Sequence, residues 1–268
     1  MLRAMFADPL SLSLAQAALA AGAAFAVALL ARRRRIHVEG DLAVALLRGF
    51  SQIAAVGAVL LLMLRGPAPL GLLALAGMVL AAAVTAARRA RRVPGAFAVA
   101  LVAIGVGAGA TIAVMALSGL VGTSVTTFVP VGSMLIASAM NAVGLALDRY
   151  RAEVVSHTGQ VEAALALGAA PEVAVAPYLA AAYRASLIPA IDNLRTLGIV
   201  WIPGLMTGMV LSGTPPLQAA IYQFVTIAMI FAASGATCLV ATSLLARRTF
   251  SAAEQLVLRG DRPAAAAR

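Results

Sequence analysis

The chain contains no lysine: all 20 of its basic residues are arginine, set against 10 acidic ones for a formal charge of +10. A P-loop needs a lysine to reach the nucleotide phosphates, so this chain is not itself a P-loop ATPase. The single cysteine, Cys238, excludes an intrachain disulfide and any multi-cysteine metal or iron–sulfur site within the chain. Only two histidines occur, His37 and His157, with no HExxH and no G-x-S-x-G sequence, which leaves intramembrane hydrolase chemistry without support. Charge is also scarce, at 11% of 268 residues, whereas 62% are hydrophobic and the mean hydropathy is +0.98. Soluble domains carry roughly 25% charged residues, and disordered chains combine low hydrophobicity with high net charge. Both classes are excluded.

What the chain has instead is a series of apolar blocks, and a spanning helix needs roughly 20 mostly apolar residues. Seven such blocks run over about 10–31, 42–64, 70–87, 96–117, 127–147, 188–211 and 219–246. The first has only Arg3 before it and stops at Arg32-Arg33-Arg34-Arg35, so it reads as a retained helix rather than a signal peptide. Arginines crowd the segments after blocks one, three, five and seven, and only Arg65 follows blocks two, four or six. Positively charged loops resist translocation, which predicts an N-terminus outside and a cytoplasmic C-terminus. Basic clusters that abut apolar blocks are topology signals first, so nucleic acid is not an expected partner. The expectation is an all-α, polytopic single permease domain over 1–268 with about seven spans. A cytoplasmic loop covers 148–186 and a short tail 247–268.

Several local patterns carry chemistry. Gly105 with Gly109, and Gly204 with Gly208, are small-xxx-small pairs that predict close helix contacts. Arg48 and Gln52 share a face of span two at i, i+4, where Arg48 either snorkels to the interface or lines a pathway. Asn141 falls mid-span, where a polar side chain must find a protein partner or a substrate. Asp192 and Arg195 at i, i+3 can pair, and block six places them near the cytoplasmic mouth. Pro203-Gly204 inside the same block predicts a kink. Met134, Met140, Met206 and Met209 are soft thioethers that also serve as ordinary core filler. His157 reads as a solvated loop residue. In the cytoplasmic stretch, Gln160 to Leu167 is a strong helix former with Gly168 as its stop, and Pro171-Glu172 opens another helix.

Glu162, Ala163, Ala164 and Gly168 resemble the Glu-Ala-Ala…Gly coupling loop of ABC-transporter permeases, although Tyr178-Leu179-Ala180 stands where Ile-x-Leu-Pro usually follows. Asp192-Asn193-x-Arg195-Thr196-x-Gly198, followed by Pro203-Gly204-x-Met206-Thr207-Gly208, resembles the Fet-type iron-export ABC permeases, a group that includes the plant aluminium-sensitivity permeases. Arg48-x-x-x-Gln52, Pro130-x-Gly132-Ser133-Met134, Met140-Asn141-Ala142 and Tyr222-Gln223 agree in order. The resemblance implies a bacterial inner-membrane permease subunit rather than an enzyme, which binds no cofactor itself. ATP would sit on a separate ABC ATPase partner, and two ATP sites imply a homodimer. ATPase coupling would fall to Glu162, Ala163, Ala164, Leu167 and Gly168. The translocation path would draw on Arg48, Gln52, Asn141, Asp192, Asn193, Arg195, Pro203, Gly204, Met206 and Gly208, with no metal ligand set assigned. Iron is the cargo the resemblance suggests; a sugar nucleotide, or a stand-alone secondary carrier, is the alternative.

Overall fold

A computed structural model describes residues 9–64, 69–90, 93–120, 122, 124–251 and 255–258. The turn at Arg65, the arginines at 91 and 92, and most of the expected tail at 247–268 lie outside the described residues. Among the described residues nine helices follow one another: α1 (Pro9–Arg33), α2 (Glu39–Leu64), α3 (Pro69–Arg89), α4 (Ala96–Leu117), α5 (Val125–Ser156), α6 (Thr158–Ala166), α7 (Pro171–Thr196), α8 (Gly204–Leu211) and α9 (Pro216–Arg248). Among the described residues six helices are long and apolar enough to cross a membrane: α1, α3, α4, α5, α7 and α9. The 26-residue α2 carries Glu39, Asp41 and Arg48 in its first half.

The chain divides into two compact units, Met1–Gly66 and Pro67–Arg268. In the first, α1 and α2 are joined by a tight turn in which Arg35 takes a positive φ of 63°. Arg32 reaches across that turn to Glu39 at 3.3 Å.

The second unit is a five-helix bundle whose helix directions follow from its contacts. Gly71 faces Val125 and Val129, Gly132 faces Leu75, and Gly144 faces Arg89, so α3 and α5 run the same way. Gly95 lies beside Arg248 and Gly107 against Thr237, so α4 opposes α9. Ser138 bonds Ser234 at 2.9 Å and Tyr150 bonds Thr249 at 2.6 Å, making α5 and α9 parallel. Leu187 of α7 packs with Ala142, Ala146 and Cys238, while the start of α7 sits by the end of α5, so α7 returns antiparallel. This gathers Arg88, Arg89, Arg149, Arg151, Arg247 and Arg248 at one end. The far end holds the turn after α4, the start of α5 and the α7–α9 connection.

Gly107 has the closest backbone approach: a Cβ there would overlap the Thr237 backbone nitrogen and hydroxyl and lie 2.6 Å from its Cα. The expected contact glycines do not pack: Gly105, Gly109, Gly204 and Gly208 have nothing within 4 Å. Two residues on from Gly105, a helix presents a different face, and that face is the buried one.

Block six also departs from expectation. Instead of one span over 188–211, α7 begins at Pro171 and ends at Thr196, residues 197–203 break the helix, and α8 is only eight residues. Ala-rich sequence propagates helix well, but Glu172, Tyr178 and Arg184 dilute its hydropathy and disguise its first half as loop. Gly198 then takes a φ of 77°, where α-helix cannot continue, and Pro203 caps α8 from an extended conformation. The expected kink at Pro203-Gly204 is therefore a full break. Helix α5 likewise runs past Leu147 to Ser156.

Candidate functional site

Tyr150, Thr249, Arg248 and Gly95 mark the level at which α4 and α9 end. From Tyr150, α5 continues six residues, about 9 Å at the helical rise. The first turns of α7 return beside it, and α6 closes the tip. The 148–186 stretch is thus a helical projection at the arginine-rich end rather than a loop.

The nine residues of α6 are too few to hold a helix alone, and their contacts explain why they do. Val161 is buried beneath it at 1% exposure. Tyr178 of α7 donates its hydroxyl to Gln160 Oε1 at 3.0 Å. The same ring stacks on His157, centroids 5.0 Å apart and 23° from parallel. His157 Nδ1 lies 2.8 Å from the carbonyl of Glu153 and 2.9 Å from the Ser156 hydroxyl. His157 is therefore a joint between three helices, not the solvated residue expected, and Tyr178, where the sequence leaves the coupling-loop pattern, is the clamp. Only an aromatic so near a predicted helix start hinted at this role.

Gly168 ends α6 with a φ of 86°. Its N–H donates to Leu165 at 2.9 Å and that of Ala169 to Ala164 at 3.0 Å, the paired bonds of a Schellman cap. Glu162 and Ala163 face outward, and Leu167 at the end of α6 is 89% exposed.

The expected pathway residues divide between the two units, and those of the second lie on separate elements. Arg48 and Gln52 are exposed on α2 in the first unit. In the second, Asn141 lies on the bundle surface, where its carbonyl oxygen accepts from Arg89 Nη1 at 3.2 Å, with Gly144 leaving room for the arginine. Asp192 and Arg195 do pair, at 3.8 Å with both side chains largely exposed, and Asn193 beside them is exposed too. They stand in the last turns of α7, at the end of the bundle opposite the arginine cluster. Pro203, Gly204, Met206 and Gly208 belong to the break and to α8. A cavity of about 950 Å³ between α1 and α2 is lined by Leu14, Ala17, Ala21, Phe25, Leu46 and Phe50 among other apolar groups and small residues. It offers lipid-like contact and no polar recognition. Among the described residues no group of three or more His, Cys, Asp or Glu side chains converges as a metal cage.

Residues 14–250 match the family described as "Uncharacterised protein family (UPF0014)". The chain is 35% identical over 224 residues to the "UPF0014 membrane protein STAR2" of Oryza sativa subsp. japonica, covering 83% of this chain and 79% of that one. It is 32% identical over 231 residues to the "Probable iron export permease protein FetB" of Escherichia coli (strain K12), covering 86% and 89%. It is 31% identical over 229 residues to "Protein ALUMINUM SENSITIVE 3" of Arabidopsis thaliana, covering 85% and 84%. No solved structure matches the chain. With its apolar helices, its motif order and its near-complete overlap all in agreement, the chain belongs to the UPF0014 family of multi-pass membrane proteins.

Proposed function

We propose that this chain is the membrane-spanning permease subunit of an ABC transporter that exports a metal ion, with ATP hydrolysed on a separate chain. The observation that carries the reading is α6: a short helix at the tip of a projection, clamped from behind by Tyr178 and His157, with Leu167 bare at its end. Such a helix fits a groove on an ATPase and transmits force without melting. The arginine-rich end is the cytoplasmic one by the positive-inside rule, which favours α6 as the face an ATPase meets; a bacterial inner membrane is the setting this reading proposes. Iron as cargo rests on the permease named for iron export in Escherichia coli.

Closure of an ATPase dimer around ATP pushes α6, and α5 and α7 carry the push inward. The break at 197–203 lets the far end of α7 move independently of α8. Two ATPases need two permease halves, so the working unit is a homodimer of this chain with two ATPase chains. A gentle-detergent pull-down of the tagged chain from its native membrane, assayed for ATP hydrolysis with and without Fe(II), tests the reading. A co-purifying P-loop ATPase stimulated by Fe(II) is expected. A preparation free of ATPase across several detergents refutes it in favour of a stand-alone carrier.

A further inference from the structure

Helices α3, α4, α9 and α7 pack in that order around α5, and the ring is open between α7 and α3. In that opening α5 shows Met134, Ala137 and Asn141. The outer walls of the ring differ in kind. Helix α4 turns Phe97, Val102, Val106 and Val114 outward and carries no charged residue, which suits contact with lipid. Helix α7 does not. At about 100° per residue, Pro177, Ala181, Arg184, Ile188, Asp192 and Arg195 fall within an arc of about 80°, and all of them are exposed. The opposite side of the same helix buries Ala182, Ser186 and Ala190 against the bundle.

The charges on this arc lie at membrane depth. Leu187 clusters with Cys238, which stands 11 residues before Thr249, about 16 Å along α9 from the arginine level. Asp192 is five residues beyond Leu187, about 24 Å from that level and inside a hydrocarbon core roughly 30 Å thick. A charged side chain at such a depth faces protein or water, not lipid. The pair within the chain does not meet that need: Asp192 and Arg195 approach only to 3.8 Å, with side chains 56% and 75% exposed.

Resting on the permease reading, we propose that this face of α7 docks on the same face of a second copy of the chain. Copies that share one topology are related by a two-fold axis along the membrane normal, so α7 meets the partner's α7 running in the same direction. A two-fold interface must be self-complementary, and both signs of charge stand on this arc three residues apart, about 4.5 Å along the axis. Asp192 of each copy faces the partner subunit's Arg195, which forms two ion pairs across the axis and seals the outer part of the seam. Arg184 has no acid within a turn of it and repels its own counterpart. The inner part of the seam is therefore held apart, wet and open towards the arginine-rich end.

The test uses full chains in their native membrane, with Cys238→Ala so that an introduced cysteine is the only thiol. Ala181→Cys or Ile188→Cys, on the arc, should give a disulfide-linked dimer under mild oxidation. Val102→Cys or Val106→Cys, on the outer wall of α4, should not. Two further chains carry Ile188→Cys with either Asp192→Arg or Arg195→Asp, so that both charges on the arc have one sign. Each alone should lose the crosslink, and the two expressed together under different tags should regain it as a mixed dimer, because only unlike copies then attract. A pair within one chain cannot give that rescue. Absence of a dimer from both α7 positions, equal crosslinking from α7 and α4, or charge variants that crosslink like wild type would each overturn the interface. If crosslinking is as expected but no ATPase co-purifies, the interface stands and the permease reading falls. If an ATPase co-purifies and α7 does not crosslink, this interface alone is wrong.

Discussion

Substituting Gly107 with alanine adds one methyl group where two helix backbones meet. Its Cβ would stand 2.6 Å from Thr237 Cα and closer still to the Thr237 nitrogen. Non-bonded carbons rest at about 3.5–4.0 Å, so α4 and α9 must part by about 1 Å, and no flexible side chain can yield in their place. Overpacking of this kind costs about 1–3 kcal/mol. Cys238, next along the chain from Thr237 and fully buried, reports the loss, because it is the only thiol in the protein. If maleimide reacts only when the helices open, its rate follows the open population, and about 1–3 kcal/mol raises it roughly 5- to 150-fold. Gly105→Ala and Gly109→Ala, at positions open to 4 Å, should label at the wild-type rate. Gly107→Ala labelled no faster than wild type, or all three variants labelled alike, would refute the packing argument.

Gly168→Ala should cost α6 about 1–2 kcal/mol, since a left-handed φ penalises any Cβ although the space around it is open; pull-down of the ATPase should weaken while the spans stay inserted. Glu162→Lys and Leu167→Ser, on the outer face of α6, should abolish ATPase association without lowering the melting temperature, and a shared fall in both would make these residues structural. Tyr178→Phe removes the bond to Gln160, about 1 kcal/mol, and should speed hydrogen exchange within Thr158–Ala166 with little effect in α9. Asp192→Asn, at an exposed pair, should lower transport more than ATPase binding; equal loss of both assigns it to the fold.

Apolar blocks made the spans legible, and five of the seven agree closely with the helices: α1, α2, α3, α4 and α9. For α7 the start at Pro171-Glu172 was legible, but Glu172, Tyr178 and Arg184 kept its first half out of the apolar block, so its unbroken run from Pro171 to Thr196 was not. The glycine pattern failed for a different reason. A small-xxx-small spacing shows that some face can approach a neighbour, but which face does so depends on rotation about the helix axis, set by α9 and unreadable from α4 alone. The helix over Gln160–Leu167 and its stop at Gly168 were legible because both are local signals. Tyr178 was read only as a departure from the coupling-loop pattern, because its contacts with His157 and Gln160 arise only when α7 folds back beside α6.

Helix α5 reaches both ends of the bundle. Its last residue, Ser156, adjoins α6, and its second turn, at Pro130, stands at the far end. Its 32 residues make a rod about 48 Å long with no break between. The one soft place in it is Pro130, close to the far tip. A rod stiff along most of its length and jointed near one end delivers a shove at its base as a swing at its tip. In the proposed transporter, a push at α6 would therefore reach the far end of the bundle through a single piece of secondary structure.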